Sequence, residues 1–131
     1  MIIKLIIQKK KMEDCVFCKI VKGEIPCQKV YEDEKVLAFN DINPLAPIHV
    51  LVVPKQHFDN VMEVSEDRLD VITDIFKAIN KIVKQLGIEE KGFRVVTNCG
   101  QDAGQAVMHL HFHILAGKDL GEEIMKIKNA K

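Results

Sequence analysis

Histidine occupies every second position in one short stretch, at His109, His111 and His113. A period of two is typical of a β-strand, whose successive side chains point to opposite faces. The three imidazoles are therefore predicted to share one strand face, roughly 6.5–7 Å apart. The other face would turn toward a core with the residues that alternate with them, which are Leu110, Phe112 and Ile114.

Imidazoles gathered on one face can do nucleophilic and acid–base chemistry. A neutral ring nitrogen can attack phosphorus, and a protonated ring can donate to an oxygen or a leaving group. Because the ordinary pKa of histidine is about 6.5, both forms are accessible near neutral pH. A single histidine is more often a surface or hydrogen-bonded core residue, but three in register favour a functional site.

A turn-rich loop over residues 98–105 leads into the histidine stretch. Gly100 and Gly104 permit backbone conformations that turn several N–H groups inward, as in an anion-binding nest. Joined to the histidines, such a nest would place N–H donors and imidazoles on one anionic group. Phosphate is the natural candidate.

The chain has four cysteines, of which Cys15 and Cys18 lie three apart, on one side of a helical turn. This pair is metal-binding, redox-active or merely buried. A thioredoxin-like redox use is the weaker alternative, because the βαβ pattern around such a motif is missing. Cys27 and Cys99 are predicted to be packing or partly exposed residues.

Length and charge exclude several classes of protein. The 131 residues suit one domain, and 19 basic against 19 acidic residues give no sign of a nucleic-acid or membrane partner. No apolar run approaches the ~18–20 residues of a membrane span. Residues 1–11 place the apolar part before the basic part, unlike an export signal. We therefore expect a cytoplasmic, reduced protein, with these residues as a short strand, a disordered extension or sequence upstream of a start at Met12.

The remaining chain predicts an α+β fold, mainly an antiparallel sheet of about five strands. Asp14 is expected to cap a short helix over residues 15–22. A long helix is expected to be capped by Ser65 and to end at Gly87. Its apolar stripe is predicted to be Leu69, Ile72, Ile75 or Phe76, Ile79, Ile82 or Val83, and Leu86. The predicted strands cover residues 29–32, 36–39, 49–53, 93–97 and 109–115.

The histidine stretch resembles the signature of the histidine triad (HIT) superfamily. Other blocks resemble its Hint branch in the same order along the chain, including the bacterial type with Cys-x-x-Cys. They are residues 17–20, 24–26, 38–42, 49–55 and 104–105. The likeness divides the chain into an N-terminal extension (1–14), a HIT domain (15–117) and a charged tail (118–131).

The resemblance implies a homodimer whose two sheets join, and a purine nucleotide of the AMP or GMP type in a cleft. It implies hydrolysis of nucleoside 5′-phosphoramidates through a nucleotidyl group on histidine. By position, His111 would be the nucleophile, His113 would contact the phosphate and help the leaving group, and His49 would orient His111. The nucleotide would be held by Asp41 at the ribose, by Ile42, Phe39, Phe17 and Ile20 around the base, and by Asn98, Gly104, Gln105 and Ala106 at ribose and phosphate.

The same resemblance implies a structural zinc ion. Its ligands would be Cys15, Cys18, His57 and His109, a donor set that suits tetrahedral zinc. The alternative is two buried free thiols and a surface His57.

Two departures from the family pattern bear on activity. Hint-like and Fhit-like proteins usually carry Ser or Thr where this chain has Ala106, and that hydroxyl reaches the phosphate or leaving group. Losing one neutral hydrogen bond is worth about 0.5–1.5 kcal/mol, so we expect reduced rather than absent activity. The chain also lacks tryptophan, and with it the Trp-Pro-Pro-Gly-like end of many Hint proteins.

Two other functions stay open from the sequence. One is a Fhit-like hydrolase of dinucleoside polyphosphates. The other is a nucleotide-binding or zinc-stabilised interaction module with little catalysis, which Ala106 favours.

Overall fold

Five antiparallel strands form one sheet in the computed structural model, which describes residues 2–122. Their order across the sheet is β1-β2-β3-β5-β4. The bounds are β1 Lys29–Glu32, β2 Val36–Asn40, β3 Ile48–Pro54, β4 Arg94–Val96 and β5 Phe112–Ala116. The α+β fold with an antiparallel sheet is confirmed.

Three α-helices accompany the sheet in the part of the chain that the structure describes. They are α1 Ile2–Asp14, α2 Val16–Val21 and α3 Asp70–Leu86. Single 3₁₀ turns lie at Val61–Glu63, Glu66–Arg68 and Gln101–Ala103. Within residues 2–122, no helix is long and apolar enough to cross a bilayer.

The two faces of the sheet carry separate apolar clusters. One face packs against α3 through residues such as Val50, Val52 and Ile114. The opposite face packs against α2 through Leu51 and Val53 among others. Because successive side chains of a strand alternate between faces, β3 must be apolar at nearly every position, and its continuous apolar run reflects cover on both sides.

Helix α3 ends as predicted but begins differently. Gly87 follows it in the left-handed conformation, with φ of 68°, where glycine is favoured. Ser65 instead precedes a 3₁₀ turn, and it makes no side-chain capping bond. The predicted stripe is wrong at Leu69 and at the alternative Phe76, which are exposed; Val71 is buried in their place.

The N-terminal region differs from its predictions. Residues 2–14 form helix α1, so the predicted strand or disorder there is wrong. Asp14 does not cap α2, because Cys15 holds that position and its sulfur accepts a hydrogen bond from the Cys18 amide at 3.3 Å. The charged tail predicted for 118–131 lies mostly outside the described residues.

The predicted histidine strand is too long. Strand β5 begins only at Phe112, so His109 and His111 lie in the segment before it. The predicted core residues Leu110, Phe112 and Ile114 are all buried on the α3 side.

Truncating the α3 core should destabilise the protein. Ile75 is fully buried, and Ile75→Ala should lower the free energy of unfolding by about 2–5 kcal/mol. Lys77→Ala, on the exposed side of the same helix, should change it by less than about 0.5 kcal/mol. Urea titration followed by circular dichroism measures both, and similar losses in the two variants would contradict this packing.

Candidate active site and metal centre

Sheet register brings the first two functional histidines together. His49 lies on β3, on the same face as Leu51 and Val53. Leu51 pairs with His113 on β5, so His49 and His113 are diagonal neighbours on the face opposite α3. Their rings lie 5.1 Å apart between centroids.

The hydrogen bonds of His49 determine which of its nitrogens carries the proton. The Leu45 amide donates to Nδ1 of His49 at 3.0 Å, so neutral His49 carries its proton on Nε2. That Nε2 lies 2.8 Å from Nδ1 of His113 and 3.5 Å from a carboxylate oxygen of Asp41. His49 therefore donates to His113, which leaves the His113 proton on Nε2. Although this trio could in principle hold a metal, the 2.8 Å contact is the length of a hydrogen bond.

A backbone hydrogen bond gives His111 the tautomer opposite to that of His49 and His113. Its Nδ1 donates to the carbonyl of His109 at 2.7 Å, which leaves a lone pair on Nε2 in the neutral ring. Phe17 of α2 packs edge-on against this ring, 5.2 Å away between centroids. The rings of His111 and His113 lie 5.1 Å apart. A nucleophilic nitrogen and an N–H donor thus belong to adjacent, oriented rings.

Burial keeps these histidines neutral at neutral pH. It lowers the pKa of His49, which Asp41 partly opposes, and it lowers the pKa of His111, which the bond to the His109 carbonyl partly opposes. Burial, together with the neighbouring His111 and His49, lowers the pKa of His113 to about 4. At neutral pH the free site therefore holds the nucleophilic nitrogen of His111 in its unprotonated form.

A second cluster of four buried side chains lies next to this pair. The structure brings together all four predicted ligands: Cys15, Cys18, His57 and His109. Nδ1 of His109 lies 3.3 Å from the sulfur of Cys15 and 3.2 Å from Nδ1 of His57. The sulfur of Cys18 lies 3.2 Å from Nδ1 of His57. Two nitrogens on one tetrahedral zinc would be about 3.3 Å apart, so the spacing fits an ion.

The outer nitrogens of both cluster histidines are already used. Nε2 of His57 lies 2.8 Å from a carboxylate oxygen of Asp59, and Nε2 of His109 lies 2.9 Å from the Pro54 carbonyl. Each Nε2 is therefore a donor, and each Nδ1 presents a lone pair to the cluster. Two lone pairs 3.2 Å apart repel unless a proton or cation lies between them. The donor set, its burial and these outer partners fit a bound metal ion.

The two thiols differ in the metal-free site. Burial alone raises the pKa of Cys15, but hydrogen bonds from His109 and His57, in the state where one ring also carries a proton on Nδ1, outweigh it and lower that pKa to about 5. Burial and the neighbouring Cys15 raise the pKa of Cys18 to about 12. One thiolate is thus already favoured, as a metal ligand requires. Cys27 and Cys99 are partly exposed, as predicted.

Two backbone amides of the glycine loop are already bonded within the loop. Gly100 and Gly104 do have positive φ angles of 91° and 81°. The Gly104 amide, however, donates to Gln101 within the loop, and the Gly100 amide donates to the Gln105 side chain. These two glycine amides therefore shape the loop. The positive φ angles are those that the nest requires, and the nest itself stays a prediction.

The residues proposed for the nucleotide differ widely in exposure. Phe17 and Phe39 are buried against each other, Ile42 is 91% exposed, and Gln105 is buried. Ala106 is exposed. Ile20, Asp41 and Asn98 are partly buried. Ile20 packs on the α2 side, Asp41 follows β2, and Asn98 lies shortly after β4. Gly104 is exposed in the loop.

Sequence reasoning missed several backbone and outer partners. The carbonyls of Pro54 and His109 and the Leu45 amide orient three histidines, and no side-chain pattern reveals them. Asp59 stands two residues after His57, and a carboxylate that close to a predicted histidine ligand was a usable signal.

The HIT domain family model matches residues 22–120. The chain belongs to the HIT domain family. In this HIT protein the alternating histidines and the β3 histidine thus lie within the matched region. The cysteine pair precedes it.

Solved and curated relatives agree with this membership. A HIT family hydrolase from Clostridium thermocellum is 55% identical, with a TM-score of 0.83, over 86% of this chain and 97% of that one. A histidine triad nucleotide-binding protein from Candida albicans is 39% identical, with a TM-score of 0.71, over 77% and 73%. An uncharacterized HIT-like protein of Azospirillum brasilense is 46% identical over 85% of this chain and 92% of its own length.

Acid should weaken this HIT protein partly through His113. Its folded pKa of about 4 lies below the ordinary 6.5, so the unfolded chain takes up the proton first as the pH falls. The stabilisation is complete above pH 6.5 and is lost between about 6.5 and 4. His113→Gln, which can still accept from His49, should show a smaller loss of urea midpoint between pH 7 and 5 than the wild type. Lys77→Gln is the matched control, and equal pH dependence in all three proteins would contradict the assignment.

Proposed function

We propose that this protein hydrolyses nucleoside 5′-phosphoramidates through a covalent nucleotidyl group on His111. The orientation of His111 carries the proposal: its Nδ1 donates to the His109 carbonyl, which leaves Nε2 as a nucleophile beside the Nε2–H of His113. The similar Clostridium thermocellum protein is described as a hydrolase and the Candida albicans protein as nucleotide-binding. Both descriptions support this class of reaction.

In the first step, Nε2 of His111 attacks the α-phosphorus. A P–N bond forms to the ring as the P–N bond to the leaving amine breaks. The Nε2–H of neutral His113 donates a hydrogen bond to the departing nitrogen, and the amine leaves with a proton taken from solvent. His49, which donates to Nδ1 of neutral His113, holds that ring with Nε2 toward the site.

In the second step, water attacks the same phosphorus. The new O–P bond forms as the P–Nε2 bond to His111 breaks, and one proton of the water passes to solvent, which balances the proton taken up by the amine. The products are a nucleoside monophosphate and the enzyme in its starting state. The backbone bond from Nδ1 to the His109 carbonyl stabilises the positive charge that His111 carries while it is phosphorylated.

The purine nucleotide would lie across the histidines on the face opposite α3. We infer that Asp41 binds the ribose hydroxyls, that Ile42 and Ile20 contact the base, and that Phe39 acts by supporting Phe17. Asn98 and the loop of Gly104, Gln105 and Ala106 would border ribose and phosphate. With no hydroxyl at Ala106, amides and imidazoles must supply the phosphate contacts.

We propose zinc as the ion of the metal centre. Cys15, Cys18, His57 and His109 would hold it, because thiolate and imidazole nitrogen are its preferred ligands. With four protein ligands the site is closed, so the ion supplies structure rather than chemistry at phosphorus. His109 would then be fixed by its side chain while its carbonyl orients His111.

We also infer a homodimer whose sheets join. Strand β4 is an edge of the described sheet, and an unpaired edge is a ready surface for a second copy. Apolar side chains lie near this edge: Phe93 is 40% exposed, and Phe76, which contacts Phe112 of β5, is 48% exposed.

Replacing the nucleophile should abolish turnover. His111→Ala should lower kcat for adenosine phosphoramidate by at least about 10³-fold while AMP still binds by calorimetry. In the wild type, rapid quench and mass spectrometry should detect an adenylyl group on His111. Met108→Ala, exposed in the same segment, is the matched control and should keep activity.

Two results would change the assignment. Retained activity in His111→Ala would refute the nucleophile, and AMP binding with no adduct would favour a binding module. Faster cleavage of diadenosine polyphosphates than of the phosphoramidate would favour the Fhit-like alternative.

Removing one sulfur should release the metal. Purified wild type should contain about one zinc per chain by inductively coupled plasma mass spectrometry. Cys18→Ala should lose the zinc on dialysis against a chelator and should unfold at a lower temperature. Cys99→Ala should match the wild type in both respects. A different metal, or full zinc in Cys18→Ala, would contradict the proposed centre.

A further inference from the structure

The segment of residues 57–59 runs beside the chain that carries the first two histidines of the triad. Its middle carbonyl, on Phe58, accepts a hydrogen bond from the Leu110 amide at 2.6 Å. His57 meets His109 in the metal cluster. Because β5 begins only at Phe112, the chain just before it has no strand pairing, and these contacts hold it in place instead.

Asp59 is bonded at both its side chain and its backbone. Its carboxylate lies 2.8 Å from Nε2 of His57 and 2.9 Å from the Lys11 ammonium. Its amide donates to Glu63 at 2.6 Å. Its carbonyl accepts from the Gln105 side chain, also at 2.6 Å. The residue therefore contacts a metal-site histidine on one side and the glycine loop on the other.

The side chain of Gln105 links Asp59 to the glycine loop. Its side chain is buried, and both of its polar atoms are bonded. The amide nitrogen donates to the carbonyls of Asp59 and Val107, and the oxygen accepts from the Gly100 amide at 2.8 Å. A continuous chain of hydrogen bonds thus runs from His57 through Asp59 and Gln105 to Gly100.

We propose that Asp59 is a positioning residue that couples the metal centre to the glycine loop, so that a nucleotide bound at the loop retains the metal more tightly. The inference rests on the proposed function, since it needs a nucleotide phosphate at the loop. A bound phosphate orders the loop, and the ordered Gln105 holds the Asp59 backbone in place. Its carboxylate then keeps His57 oriented toward the ion.

Metal release from the loaded protein, with and without 5′-AMP, tests this coupling. Zinc-loaded protein is mixed with a chromophoric chelator below its unfolding temperature, and the release rate is recorded alone and with AMP at saturation for each variant. Calorimetry on the same samples measures AMP binding. In the wild type, AMP should slow release by roughly fivefold or more, the lower range of couplings between sites.

Two variants interrupt the chain at different places. Asp59→Ala should release zinc at least about tenfold faster, as expected for loss of an outer partner of a ligand, and AMP should no longer slow the release. Gln105→Leu should release zinc at nearly the wild-type rate, because His57 keeps its carboxylate. At an AMP concentration where calorimetry shows this variant to be saturated, AMP should have no effect on that rate. Asp74→Ala, on α3 across the sheet, is the matched control and should behave as the wild type.

The Gln105→Leu result separates coupling from mere stability. A residue that only stabilised the fold would speed release in proportion to the lost stability and leave the AMP effect intact. The inference is overturned if AMP binds the wild type but leaves release unchanged, or if Gln105→Leu retains the full AMP effect. No heat of AMP binding to the wild type would instead overturn the proposed function, and the inference with it.

Discussion

The bond from Nδ1 of His111 to the His109 carbonyl is the contact on which the site depends. It sets the tautomer of the ring that we propose as the nucleophile, and it ties that ring to a residue whose own side chain belongs to the candidate metal site. His109 is fully buried and donates from Nε2 to the Pro54 carbonyl. These contacts fix the His109 side chain. The carbonyl of the same residue then orients the ring of His111.

The second constraint is that the two faces of the sheet have different roles. Helix α3 and its cluster stabilise one face without any titratable group of the site. The other face is lined by α2, by His49 and His113, and by the thiols. Polar groups on this side are costly to bury unless bonded, and in the described residues no buried side-chain nitrogen or oxygen lacks a partner. The site therefore sits on a rigid layer that does not depend on it for its own packing.

Much of this arrangement was predictable from the sequence, because periodicity and turn residues report on local geometry. The alternation around His113, the apolar run of β3 and the left-handed Gly87 predicted their elements correctly. The predicted ligand set also came together, although only a family resemblance supplied it. The start of β5 was not predictable, since it depends on contacts with a distant segment. The Leu110 amide, for example, pairs with Phe58 rather than with a neighbouring strand, and no local pattern encodes that choice. The cap at Cys15 and the bond from Gly100 to Gln105 are local, but cysteine is not among the usual N-cap residues, and a side-chain bond within a loop leaves no periodic pattern.

Alternate residues of strand β3 serve two purposes: one set packs against helix α3, and the other set lies on the face of the candidate active site. His49, Leu51 and Val53 face the histidines, whereas Val50 and Val52 face α3. A slip of one residue in its pairing would exchange these sets and bury the His49 imidazole among aliphatic side chains. A misaligned molecule would then lose both its hydrophobic packing and the contact of His49 with His113. In this protein, the register that builds the hydrophobic layer therefore also assembles the candidate active site.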